Sequence, residues 1–199
     1  MYTSAAYRYL PNLLTVARIL VTPLLLLLLT VPSQVGQMSA VVLFVLASLS
    51  DYYDGVLARR FGVRSRLGQY LDPLADKILV LGTFGMLALQ EPALVPWWAV
   101  AVIAGRDVMV TGLRSWVEAG GQSLHTYRIA KAKTLMQLAF LFGVLVLRAA
   151  TYATPPLQTW ATWVLEDSLL PGVALAGVVG VTVATGALYF VAPVHEHQN

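Results

Sequence analysis

The sequence predicts an all-α integral membrane bundle of six transmembrane helices, and three observations carry that prediction. Apolar residues make up 58% of the chain and charged residues only 12%, about half the charged share usual in a soluble domain. A water-soluble fold of 199 residues could not cover its surface with so few charges, so its surroundings must be largely lipid. Six segments reach the roughly 20 mostly apolar residues that a spanning helix needs, at about 12–30, 36–57, 70–90, 94–116, 131–150 and 170–192. Nothing alternates with the period of barrel strands, and backbone groups in hydrocarbon must satisfy one another, which leaves a helical bundle.

The elements follow in order. Residues 1–11 carry Tyr2, Tyr7 and Tyr9 around Arg8, a mixture suited to the headgroup layer. The first span, PNLLTVARILVTPLLLLLL, is too long and too interrupted for a cleaved signal peptide and lacks a small-residue cleavage site. Pro23 gives it at most a bend. With the N-terminus in the cytoplasm, Arg8, Arg59, Arg60, Arg64, Arg66, Arg114, Arg128, Lys131 and Lys133 fall on or near the cytoplasmic side, and only Arg148 falls near the other. That asymmetry is what the positive-inside rule expects. The segment 151–169 is too polar to span, and its Trp160 and Trp163 suit the outer interface, as do Trp97 and Trp98. No repeat or linker divides the chain, so 1–199 is one domain. The absence of cysteine excludes disulfides, thiolate nucleophiles and Cys-based zinc sites. The slight positive balance does not point to nucleic acid.

Between the second and third spans runs DYYDGVLARRFGVRSRLGQYLDPLADK. Asp51 and Asp54 are three apart and Asp72 and Asp76 four apart, so each pair shares one helix face. The short turn between them lets the helices run antiparallel and bring the pairs together. Four clustered carboxylates repel and resist ionising unless cations sit among them, and such hard oxygen ligands suit Mg²⁺, Mn²⁺ or Ca²⁺ rather than zinc. A single aspartate here could be a helix cap or an arginine partner. Four together at a membrane margin point to a site, since ionisable groups in spans are costly. Gly55, Ala58 and Gly68 are small residues that let a backbone or a flat ligand come close.

The whole stretch, D-x2-D-G-x2-A-R-x8-G-x3-D-x3-D, resembles the signature of the CDP-alcohol phosphatidyltransferases, with every position present. The resemblance implies that an alcohol attacks the lipid-bearing phosphorus of a CDP-linked lipid and releases CMP. It also implies a six-helix membrane bundle, a homodimer and two divalent ions, Mg²⁺ or Mn²⁺. Carried over by position, Asp51, Asp54 and Asp72 would be direct metal ligands, Asp76 would complete the metal site and act as general base, and Gly55, Ala58, Arg59 and Gly68 would shape the CDP-lipid pocket. The chemistry agrees, because a diphosphate meets a carboxylate-rich site only through bridging cations, and an alcohol gains as a nucleophile from a carboxylate that takes its proton.

The acceptor is read from the cations. Arg106 and Asp107 lie in an otherwise apolar fourth span, with Arg114 two turns beyond Arg106, and Arg128, Lys131 and Lys133 approach the fifth. Converging beside the aspartates, Arg106, Arg114, Lys131 and Lys133 would suit an acceptor that carries its own phosphate; alternatively, the basic loop residues only anchor helices at anionic headgroups, and Arg106 and Asp107 pair structurally. PNLLTVARIL, AGRDVMVTGLR and KAKTLMQ resemble the branch of the family that makes phosphatidylglycerophosphate in bacterial inner membranes, from CDP-diacylglycerol and sn-glycerol 3-phosphate. This covers the chain to about residue 140; the remainder matches in hydropathy alone. Asn12 and Thr15 would then line the CDP-lipid pocket and Arg18 the acceptor phosphate. Ala130 stands where that branch carries glycine. His125, His195 and His197 are expected in a loop and a polar tail. The rivals are the same scaffold with inositol phosphate or phosphatidylglycerol as acceptor, and, from another class, a cation transporter, which would place its acids nearer the midplane.

Overall fold

The computed structural model describes residues 6–61, 66–119, 122–124, 128–191 and 194–196, with side chains described at 13–50 except Leu14, at 74–117 except Arg114, and at 132–188. Within these residues the chain forms long helices α1 (Ala6–Leu29), α2 (Gln34–Phe61), α3 (Arg66–Gln90), α4 (Trp97–Ala119) and α5 (Arg128–Thr151). A short α6 (Leu157–Thr162) and a π-helical turn (Trp163–Asp167) then lead to α7 (Leu170–Val191). Two three-residue strands, β1 (Gln122–Leu124) and β2 (Val194–Glu196), pair antiparallel. His195, expected in a polar tail, therefore stands opposite Ser123 in a small ribbon; His125 and His197 lie outside the described residues.

Each apolar segment lies largely in one long helix, although 94–96 precede α4 and Thr30 follows α1, and the helices outrun the apolar limits mostly at one end. α1 begins at Ala6, α2 continues to Phe61, α3 begins at Arg66, α4 continues to Ala119 and α5 begins at Arg128. Consecutive helices joined by short links alternate in direction, so these overhangs gather at the end that carries the aspartates. Of the N-terminal interfacial segment, residues 6–11 are continuous with α1, and 1–5 lie outside the described residues. The helix also continues through Pro23.

The surface is inverted relative to a protein in water. On α1, Thr15, Arg18 and Thr22 are buried, whereas Leu13, Leu20, Leu24 and Leu27 are exposed. Among the described residues, two helical stretches are long and apolar enough to cross a membrane, Ala132–Thr151 and Leu170–Leu188. Only 39% and 33% of their apolar windows are buried, so these faces turn outward instead of forming a soluble core. α3 carries its charges in its first half and α4 from its middle onward, which lowers their apolarity.

Helix α1 packs on both α2 and α3, α5 on α2 and α7, and α7 on α4. The sequence suggested α2 and α3 as close antiparallel neighbours. With α1 against both of them, they meet over a short stretch among the described residues. The link 62–65 lies outside the described residues, but its length keeps the joined ends within about 18 Å of each other. At the other end of α1, Gln37 Nε2 donates to the carbonyls of Leu29 and Val31 at 3.0 Å each, satisfying acceptors that a helix terminus leaves open. Ser33 Oγ accepts from Gly36 N at 3.1 Å, capping α2.

Leu25, Phe44, Leu79, Phe84, Leu141 and Leu175 belong to one continuous core that draws on six helices, in which Phe84 stacks on Phe140 with ring centroids 5.8 Å apart. Lipid tails are as apolar as these side chains, so close packing rather than transfer from water holds the core. Phe84→Ala would then cost mainly its cavity, about 2 kcal/mol for roughly 100 Å³ of lost ring. The expected outcome is a lower unfolding temperature in detergent with a smaller loss for the exposed Leu20→Ala; equal losses would contradict a packed interior.

Candidate functional site

The described part of the site is a polar layer crossing the bundle near the aspartate end. Three residues apart on α1, Thr15 and Arg18 share a face, and both are buried. Arg18 Nε donates to the carbonyl of Ala47 at 3.2 Å and to Ser50 Oγ at 3.4 Å. Ser50 directly precedes Asp51, so Arg18 is fastened to the turn of α2 that leads into the first aspartate pair. Thr22 Oγ1 donates to the Arg18 carbonyl at 2.8 Å, keeping a hydroxyl inside the helix from standing unpaired.

On α3, Asp76 is partly exposed beside fully buried Ala75. Its neighbour Lys77 donates to Thr111 Oγ1 at 2.6 Å, and Thr111 donates in turn to the Asp107 carbonyl at 2.7 Å. This chain joins the Asp76 turn to α4.

The centre of the layer is Asp107. Lys133 Nζ donates to both of its carboxylate oxygens, at 2.6 and 2.7 Å, and both residues are buried. Two of the three ammonium hydrogens are thereby committed. The charge of Asp76 also acts on Lys133, which brings the α3 carboxylate into the same electrostatic neighbourhood. Arg106 Nη1 reaches Asp107 at a longer 3.3 Å, while its Nη2 donates to Thr185 Oγ1 on α7 at 3.2 Å. One carboxylate thus organises cations from α4 and α5, and Arg106 ties them to α7. Beneath the ion pair, Gln137 lies one turn from Lys133 and donates to Thr182 Oγ1 at 3.4 Å.

Several partners were missed in the sequence. Nothing in the spacing of Thr182, Thr185 and Gly186 marks them, because their relevance depends on α7 lying against α4. A Cβ on Gly186 would come within 3.0 Å of Arg106 Cγ, so the glycine leaves the room in which Arg106 lies. The sequence places Lys133 at an acceptor phosphate and leaves a structural Arg106–Asp107 pair as the alternative; that pair is present at 3.3 Å, and Lys133 shares the same carboxylate through shorter contacts.

The other candidates lie partly or wholly outside the described residues. Helix α2 carries Asp51, Asp54, Gly55, Ala58 and Arg59 within its last turns, and α3 carries Gly68 and Asp72 in its first turns. Their side chains are outside the described ones, as are those of Asn12, Arg114 and Lys131. α5 is helical through Ala130, a position where alanine is favoured over glycine, so that departure needs no special backbone.

Residues 8–188 match the family model for CDP-alcohol phosphatidyltransferase, which reaches well past residue 140, where the recognisable motifs end. A protein of Rickettsia typhi named CDP-diacylglycerol–glycerol-3-phosphate 3-phosphatidyltransferase is 36% identical over 138 residues, covering 69% of this chain and 76% of its own. Proteins of the same name from Bacillus subtilis and Pseudomonas fluorescens are 32% identical over 149 residues and 36% over 158. The first pairing covers 69% of this chain and 76% of the relative, the second 78% and 76%.

Removing one member of a buried ion pair strands the other, at a cost of about 3–5 kcal/mol. Asp107→Asn should therefore lower the unfolding temperature markedly, because Lys133 and Arg106 lose their shared counter-charge. The double variant Asp107→Leu with Lys133→Met should recover most of that loss. A double variant no more stable than Asp107→Asn would show that the pair is not the source of the cost.

Proposed function

The chain belongs to the CDP-alcohol phosphatidyltransferase family, and we propose that it transfers the phosphatidyl group of CDP-diacylglycerol to sn-glycerol 3-phosphate, giving phosphatidylglycerophosphate and CMP. The names of its relatives support both donor and acceptor. The observation that carries the assignment to this chain is the cation layer. Arg106 and Lys133 are bound to one another through Asp107, whose turn is joined through Thr111 to Lys77, the neighbour of Asp76. An acceptor with its own phosphate needs such a lining; a neutral alcohol does not.

The donor set suits a pair of hard divalent ions, Mg²⁺ or Mn²⁺. Asp51, Asp54, Asp72 and Asp76 are oxygen ligands alone, and Asp76 is partly exposed, open to a water-soluble acceptor. When bound, such ions neutralise the diphosphate and the departing CMP. Asp76 takes the proton of the acceptor hydroxyl as its oxygen bonds to the lipid-bearing phosphorus and the bond from that phosphorus to CMP breaks. Arg106 holds the acceptor phosphate, joined by the third ammonium hydrogen of Lys133 and by Arg114 and Lys131. Arg18 steadies the α2 turn before Asp51 and supplies further positive charge. Gly55, Ala58, Arg59 and Gly68, with Asn12 and Thr15, form the CDP-lipid pocket.

This reading also takes the chain as a single domain of six spans, dimeric, in a bacterial inner membrane, with its N-terminus and site facing the cytoplasm. The inverted surface of α1 and the outward apolar faces of α5 and α7 support a lipid environment.

The test is CMP release by detergent-purified protein given CDP-diacylglycerol and Mg²⁺ or Mn²⁺, with and without sn-glycerol 3-phosphate. Release should require both metal and that acceptor. Release with inositol phosphate or phosphatidylglycerol instead would keep the family chemistry and overturn the acceptor. Asp76→Asn should retain CDP-diacylglycerol binding and lose turnover by about 10²–10⁴-fold, and near-normal turnover would remove Asp76 from the base role.

A further inference from the structure

At the end of the bundle opposite the aspartates lies a second polar feature that the transfer chemistry does not use. A cavity of about 740 Å³ opens between the C-terminal ends of α3 and α5, the π-helical turn and the start of α7. Arg148 lines it from α5, fifteen residues beyond Lys133, which is about 22 Å along a helix. The residue is only 8% exposed, and its Nη1 is buried with no hydrogen-bond partner. Leaving a buried guanidinium donor unsatisfied is costly, and its planar fork matches the oxygens of a phosphate.

The rest of the lining narrows the ligand. Leu169 and Val173 form an apolar flank, and both are well exposed. They lie where the apolar stretch beginning at Leu170 meets the π-helical turn, the depth at which lipid chains give way to headgroups. Two carboxylates, Glu91 and Glu166, line the same cavity and are exposed. A free phosphate or an anionic headgroup would bring more negative charge to a lining that already holds two carboxylates and one guanidinium. A zwitterion brings no net charge and offers each group its complement.

The geometry points to a site for the headgroup of a zwitterionic membrane phospholipid bearing a primary ammonium. Its phosphodiester sits on Arg148, its ammonium faces Glu91 and Glu166, and its acyl chains run along Leu169 and Val173. The cavity volume is ample for a headgroup. This inference rests on the membrane-embedded part of the proposed function and not on the transfer reaction.

The test measures lipid retained by the detergent-purified full chain, by native mass spectrometry, after exposure to phosphatidylethanolamine, phosphatidylcholine or phosphatidylglycerol of identical acyl chains. Phosphatidylethanolamine should be retained preferentially, and Arg148→Gln should reduce that retention at least tenfold. The exposed pair of changes Glu91→Gln and Glu166→Gln should erase the preference over phosphatidylcholine, and this keeps the test decisive if Arg148→Gln does not fold. CMP release should stay within about twofold of the parent in both variants. Equal retention of the three lipids, a preference for phosphatidylglycerol, or undiminished binding by folded Arg148→Gln would overturn the site. Competition by soluble phosphoethanolamine as strong as by the lipid would overturn the role of the apolar flank. Lipid retention without any CMP release would leave this site standing and sink the proposed transfer instead.

Discussion

Lys133 meets both oxygens of Asp107 between helices whose outer faces are hydrocarbon, and much of the polar interior is arranged around that contact. A charge in such a place has no bulk water to turn to, so its counter-charge must come from the protein. Asp107 answers Lys133 on α5 and, more loosely, Arg106 on its own helix. Arg106 in turn requires the Thr185 hydroxyl and the open space at Gly186 on α7. Removing the carboxylate would leave two cations facing each other across a narrow interior. The pair therefore does two things at once. It fastens α4 to α5, and it holds positive charge within electrostatic reach of Asp76.

The two ends of the bundle consequently differ in character. Toward the aspartates the helices outrun their apolar segments, polar groups of α3, α4, α5 and α7 meet, and Arg18 of α1 is bound to α2. Toward the other end the core is mostly apolar, with buried Thr83 and Gln37 bonded to backbone carbonyls, until Arg148, where a short helix and a π-helical turn frame a separate cavity. A transferase that joins a lipid-borne donor to a water-soluble acceptor needs this polarity of design: packed helices to hold the donor's chains, and a charged margin where the acceptor arrives.

Much of this could be read from residues alone, and the limits have physical causes. The long helices were legible because apolar runs of spanning length leave few alternatives, and the depth of Arg106 in such a run marked it as unusual. Helix ends were less legible, since hydropathy reports where lipid ends rather than where the backbone stops being helical; α2 and α3 both carry helix beyond it. Partnerships between distant helices were not legible at all. Lys133 with Asp107, and Arg106 with Thr185, are separated by 26 and 79 residues, and no local period encodes which helix will lie beside which. The same holds for α1, whose packing against both α2 and α3 no local period announces. The motif itself, by contrast, is a local pattern of types and spacings, and that is why it could be recognised without the fold.

The most direct test of the central claim is anomalous diffraction from crystals of the protein grown with Mn²⁺ and a CDP-bearing ligand. The claim predicts Mn²⁺ between the C-terminal turns of α2 and the N-terminal turns of α3, within bonding distance of carboxylate oxygens of Asp51, Asp54, Asp72 and Asp76, with the diphosphate on the same ions. Manganese bound elsewhere, or a CDP group seated away from those four aspartates, would contradict it.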